Sequence, residues 1–110
     1  MKQPPDGRFT ADVVVRSVRD RLTLVLRGEI DLGSAPIVRA SLDGAVAESH
    51  PVVEVDLAGV TFMDSSGLGA LAVTHQALVA AGRKLVVTGA QGTVRRVLSI
   101  SGLDQAVDVE

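Results

Sequence analysis

A chain of 110 residues that is 46% apolar has the length of one ordinary domain and enough hydrophobic side chains to bury a core. Its formal charge of −2, with Phe9 and Phe62 as the only aromatic residues, offers neither the basic footprint nor the stacking platforms that nucleic-acid binding needs. The absence of cysteine excludes disulfides, thiolate-ligated zinc and a thiol nucleophile.

Pro4-Pro5 and Asp6-Gly7 punctuate the start, so residues 1–8 are expected to be a flexible lead-in and residues 9–110 a single domain. The start lacks the apolar run of a signal peptide, and no stretch approaches the roughly 20 apolar residues that span a bilayer. The expectation is therefore a cytoplasmic protein with no membrane partner. Ala11 to Val18, with the β-branched run Val13-Val14-Val15, and Leu22 to Leu26 are expected to pair as an antiparallel hairpin across Arg19-Asp20-Arg21. Gly28 to Leu32 reads as a junction. Ser34 then stands as a helix N-cap with Pro36 in the first turn, and Ile37, Leu42, Ala45 and Val46 carry the apolar side to about Glu48.

Pro51 stops that helix, and Val52 to Leu57 reads as a buried strand. Asp64-Ser65-Ser66 opens a second helix, with Asp64 or Ser65 as its cap, and Gly82 closes it. Lys84 to Thr88 is a further strand, Thr93 to Ser101 a short helix ended by Gly102, and Gln105 to Val109 a last edge strand. A helix between two buried strands makes a parallel crossover the default. The expected fold class is α/β, a small mixed sheet of four to five strands with three or more helices packed on it.

The second helix is unusual. At about 100° per residue, Leu68, Leu71, Ala72, Leu78 and Val79 fall on one stripe, joined by His75, and this is the expected core face. Ala70, Val73, Ala77 and Ala80 lie opposite, Ser66 projects on their side, and no charged residue occurs anywhere on the helix. Surface helices ordinarily carry charge on the outer face. This side is therefore either a docking surface beside a hydroxyl or a face covered by the rest of the fold. Gly67 and Gly69 read as close-packing residues at the helix start.

Catalysis by Ser65 or Ser66 would need a base within hydrogen-bonding reach. His75 is half a turn around the helix from Ser66, and His50 precedes a strand whose length puts it about 20 Å or more away. Gly-x-Ser-x-Gly is absent too, so an enzyme is not expected. Two separated histidines without cysteine make no metal cluster, and no phosphate-cradling loop is present, so neither metal nor cofactor is expected. Arg95-Arg96 reads as a solvated helix face.

Val53 to Leu71 resembles the central motif of STAS domains, and Asp64-Ser65-Ser66-Gly67-Leu68-Gly69 resembles the phosphorylation motif of bacterial anti-sigma factor antagonists. Gly28-Glu29-Ile30-Asp31 is similar to that family's junction after the second strand, and Ser101-Gly102-Leu103 to its carboxy-terminal helix ending. The resemblance spans about residues 10 to 108. It implies a partner switch. The unphosphorylated antagonist binds an anti-sigma factor that is itself a serine kinase, so that a sigma factor is released, and phosphorylation ends the interaction until a phosphatase reverses it.

The implied acceptor is Ser66, with Ser65 as the alternative. Asp31 and Asp64 match acidic positions that face the kinase, and Ser65, Gly67, Gly69, Ala70, Val73 and Ala77 complete the implied partner surface of a chain that is monomeric when free. STAS-like modules also serve as ligand-sensing domains or as non-enzymatic subunits of larger complexes such as lipid transport machinery, and that is the alternative role.

Overall fold

The computed structural model describes residues 14–110. The expected lead-in and the beginning of the first expected strand lie outside the described residues. β1 (Val14–Val18) and β2 (Arg21–Ile30) form the expected antiparallel hairpin, in register from Val14↔Val25 to Val18↔Arg21. Arg19 in its turn takes φ 59°, the left-handed conformation that tight hairpin turns favour. The chain continues through α1 (Ala35–Ala47), β3 (Val52–Met63), α2 (Ser65–Ala80), β4 (Lys84–Thr88), α3 (Gly92–Ile100), α4 (Leu103–Ala106) and β5 (Asp108–Val109). The five strands lie in chain order across one mixed sheet, with β2 to β5 parallel.

The sheet has two distinct faces because side chains alternate along each strand. Leu22 and Leu24 align with Val53 and Val55, and these with Leu85 and Val87. All six are buried in one contiguous core with Val38 and Leu42 of α1, Leu71 and Leu78 of α2, and Val94 and Leu98 of α3. The other face carries polar side chains around buried Val86. There the Glu54 carboxylate accepts hydrogen bonds from Arg21 Nη1 at 3.1 Å, Thr23 Oγ1 at 3.3 Å and Thr88 Oγ1 at 2.8 Å.

Two strands run past their expected ends. Gly28 to Leu32 is not a simple junction, since β2 stays in the ladder to Ile30, and β3 reaches Met63 rather than Leu57. Register shifts between Val25 and Arg27 and between Gly28 and Glu29 make this possible, each leaving one extra residue on β3, while Gly28 takes φ 91°. In α1 the buried residues are Ala35, Val38, Leu42 and Ala45, so Ile37, expected on the core side, is instead exposed. The last expected strand, Gln105 to Val109, is mostly replaced by the single-turn α4, and only Asp108–Val109 pairs with β4.

Arg83 fastens α1 to the start of β4. Its Nε donates to His50 O at 2.7 Å, Nη1 to Val46 O at 2.7 Å and Nη2 to Ala45 O at 3.2 Å, so that one guanidinium ties the last turn of α1 and the segment after it to β4. Charge-assisted bonds of this kind are among the stronger ones, so Arg83→Ala is expected to lower the unfolding free energy by about 2–3 kcal/mol, read by urea denaturation at constant m-value.

Candidate functional site

The carboxyl ends of β2 and β3 lie side by side. Ile30 pairs with Met63, and the Asp64 N–H donates to Ile30 O at 3.1 Å. Asp31 and Asp64, the next residues along the two strands, therefore leave the sheet next to each other, at the end where open α/β sheets place their ligand sites. Asp31 closes a tight turn into α1. Its Oδ1 accepts from the Ser34 N–H at 3.0 Å, and its own N–H donates to Ser34 Oγ at 2.9 Å. Ser34 holds the N-cap position of α1 but makes no capping hydrogen bond; its buried hydroxyl donates instead to Glu29 O at 3.1 Å. It fixes the end of β2 and so the position of Asp31.

Asp64, rather than Ser65, caps α2. Its backbone is extended, with φ −105° and ψ −169°, and its Oδ1 accepts the Ser66 N–H at 2.8 Å. The carboxylate thus satisfies one of the orphan donors of the first turn. Ser65 is exposed and Ser66 half-buried. Among the described residues, neither hydroxyl is engaged in a hydrogen bond.

The two glycines of the motif serve different ends. Gly67 is buried, and a Cβ there would lie 2.7 Å from Met63 Cγ and 2.8 Å from Ile30 Cγ2, so close packing explains it. Gly69 departs from the same expectation, because among the described residues a Cβ there would meet nothing beyond its own helix within 4 Å.

The buried side of α2 consists of Gly67, Ala70, Leu71, Thr74 and Leu78. Ala70, expected on the outer side, is only 2% exposed, and Val79, expected in the core, is 53% exposed. The inward stripe is rotated from the expected one, and Thr74, which lies on it, satisfies its buried hydroxyl by donating to Ala70 O at 2.9 Å. Val73, Ala77 and Ala80 are exposed, Val73 at 52%, so the outer face is not covered by the fold. Exposed positions of the other two long helices carry Arg39 and Asp43 on α1 and Arg95 and Arg96 on α3; α2 carries no charge. Ala70 is therefore an internal contact, whereas Val73 and Ala77 belong to an open apolar surface.

Two residues that sequence reasoning missed stand at this end of the sheet. Leu32, next to Asp31, is 77% exposed, and Phe62, two residues before Asp64, is also exposed. An apolar residue directly after the turn acid was the available signal for Leu32. Neither histidine can serve the serines. His50 lies at the far end of β3, on the order of 30 Å along the strand, with its Nε2 bonded to Ser17 Oγ at 2.7 Å. His75 lies nine positions beyond Ser66 on α2, about 13 Å along the axis, and is half-buried as a packed residue. Among the described residues, no group of three or more His, Cys, Asp or Glu side chains is gathered to hold a metal ion, and no helix is long and apolar enough to cross a membrane.

Residues 12–110 match the family model of the STAS domain. The chain is 30% identical over 91 residues to an anti-sigma-B factor antagonist of Listeria monocytogenes, which covers 83% of this chain and 80% of that one. It is 30% identical over 98 residues to the anti-sigma-B factor antagonist of Bacillus subtilis, covering 89% of each. The crystal structure of an anti-sigma factor antagonist from Mycobacterium paratuberculosis superimposes with a TM-score of 0.84 at 30% identity, covering 98% of this chain and 89% of that one.

Proposed function

This chain belongs to the STAS domain family, among the anti-sigma factor antagonists, and on that premise we propose that its unphosphorylated form captures an anti-sigma factor that is also a serine kinase, freeing a sigma factor. Phosphorylation of Ser66 by that kinase ends the complex, and a phosphatase restores the binding form. The working protein is cytoplasmic and not an enzyme. One observation carries this reading: an unengaged hydroxyl, two carboxylates and an exposed helix face without charge meet at one end of the sheet. By helical angle Ser66 lines up with Val73 and Ala77, whereas Ser65 is rotated about 100° from Ser66, which favours Ser66 as the acceptor.

In the transfer step the Ser66 hydroxyl oxygen attacks the γ-phosphorus of ATP held by the kinase. The bond to the β-phosphate oxygen breaks, ADP leaves, and the hydroxyl proton passes to a base of the kinase. The resulting group adds roughly −1.5 to −2 of charge at neutral pH. It finds the nearest first-turn donor already taken, because the Ser66 N–H is bonded to Asp64 Oδ1. Capturing that donor would displace a cap whose loss costs about 1 kcal/mol. The phosphate therefore stays outward, over the docking face, and acts on binding more than on the fold.

Mass mapping of phosphopeptides after incubation with anti-sigma serine kinases and ATP tests the proposal. Labelling is expected in the parent and in Ser65→Ala, and is expected to vanish in Ser66→Ala, which still binds the kinase. Equal labelling of Ser66→Ala and the parent would refute the acceptor. Failure of every kinase of this type to bind the parent would favour a subunit of a larger complex such as lipid transport machinery.

A further inference from the structure

Among the described residues, nothing in the fold accounts for Gly69. It lies in the second turn of a sixteen-residue helix, where glycine is the poorest residue after proline. Its backbone is not among those with positive φ, and, its own helix backbone aside, an added Cβ would meet no atom of the described residues within 4 Å. Close packing, which accounts for Gly67 two positions earlier, is thus absent. Gly44 of α1 also meets nothing within 4 Å among the described residues, but it is exposed one turn before charged Glu48, as on a solvated helix side. Gly69 stands one turn beyond Ser65 and one turn before exposed Val73, on the helix that carries no charge.

We propose that Gly69 is the point of closest approach between this chain and its anti-sigma partner: the missing Cβ bares the backbone of α2 so that a partner segment seats directly against the helix, one turn past the serines. This rests on the reading that the partner docks on this face of α2. A side chain at position 69 would act as a spacer, because residues without bulk are what let two backbones come together. The loss of binding then grows with side-chain size, while the helix itself gains.

The test opposes two readouts. The binding probe is the anti-sigma serine kinase that labels the parent chain. Gly69→Ala is expected to raise the melting temperature by about 3–6 °C, from better helix propensity alone, and to weaken kinase binding by at least about tenfold. Gly69→Val is expected to remain folded and to weaken binding by at least about 100-fold, since its bulk is larger and its branching stiff. Val73→Asp separates the two ideas. If Val73→Asp loses binding while Gly69→Ala and Gly69→Val bind as the parent does, the close-approach role is overturned and the docking face stands. If Val73→Asp also binds as the parent does, the docking face itself is wrong. Gly69→Ala less stable than the parent would overturn the inference too, by revealing an internal role for the glycine.

Discussion

Ser66→Asp is expected to fold like the parent and to lose at least about 100-fold in affinity for the anti-sigma kinase proposed as its partner. The reason is a change of surroundings on docking. The nearest fixed charge is Asp64, whose carboxylate holds the Ser66 N–H at 2.8 Å. Two like charges about 5 Å apart repel by about 0.8 kcal/mol in water and about 3.3 kcal/mol at the effective dielectric of 20 that suits a partly desolvated surface. Docking against the apolar face of α2 moves the pair from the first condition toward the second, a difference of about 2.5 kcal/mol, or nearly 100-fold. Stripping water from the new charge adds to this. In the free chain the helix amino terminus favours an anion by about 0.3–1 kcal/mol, which roughly cancels the repulsion in water and leaves stability almost unchanged. Calorimetric titration against the kinase, with thermal unfolding of both proteins alongside, checks both halves. Binding within about threefold of the parent would remove the electrostatic basis of the switch.

The same few residues show where pattern reading succeeds and where it fails. Leu22, Leu24 and Leu26 in β2, and Val53, Val55 and Leu57 in β3, alternate cleanly because one face of each strand is core. Beyond Leu57 the buried residues of β3 are Val60 and Met63, spaced by three instead of two. Each bulge inserts one residue and resets the alternation, so the end of the strand, which delivers Asp64, reads as loop. The failure in α2 has another cause. A helix apolar on all sides carries little directional signal. Its true inner side is marked by Gly67, Ala70 and Thr74, small or polar residues that do not look like core beside Leu and Val. Leu68 and Val79 attract the eye more strongly, yet Val79 is outside. Asp64 and the serines were legible because short-range rules for helix caps act on neighbours in the chain, whereas Asp31 came only with the resemblance of Gly28-Glu29-Ile30-Asp31, the stretch itself reading as a plain junction. Leu32 and Phe62 were not legible, because their exposure depends on where two strands end together in space.

Gly67→Ala is the change expected to disturb fold and site at once. Its Cβ would fall 2.7 Å from Met63 Cγ, 2.8 Å from Ile30 Cγ2 and 3.3 Å from Met63 Sδ. Carbon atoms prefer about 3.5–4.0 Å, so two contacts are short by about 1 Å. Neither neighbour yields easily: Ile30 is β-branched and 0% exposed, and Met63, though more flexible, is 3% exposed. Overpacking of this kind costs about 1–3 kcal/mol, occasionally more, against a gain of about 1 kcal/mol in helix propensity. The clash is expected to win by about 1–2 kcal/mol and to lower the melting temperature by about 5–10 °C. Ile30 and Met63 are the residues immediately before Asp31 and Asp64, so relief of the clash moves the two carboxylates at this end of the sheet, and binding of the proposed kinase is expected to fall with stability. Shortening Met63 to alanine in the same chain should return part of both, since the space it vacates is where the new methyl needs to go; a double-mutant cycle measures the coupling. A Gly67→Ala chain as stable as the parent would mean that α2 and the strand ends slide past one another freely, and the fixed placement of Ser66 beside its cap Asp64 would lose its structural support.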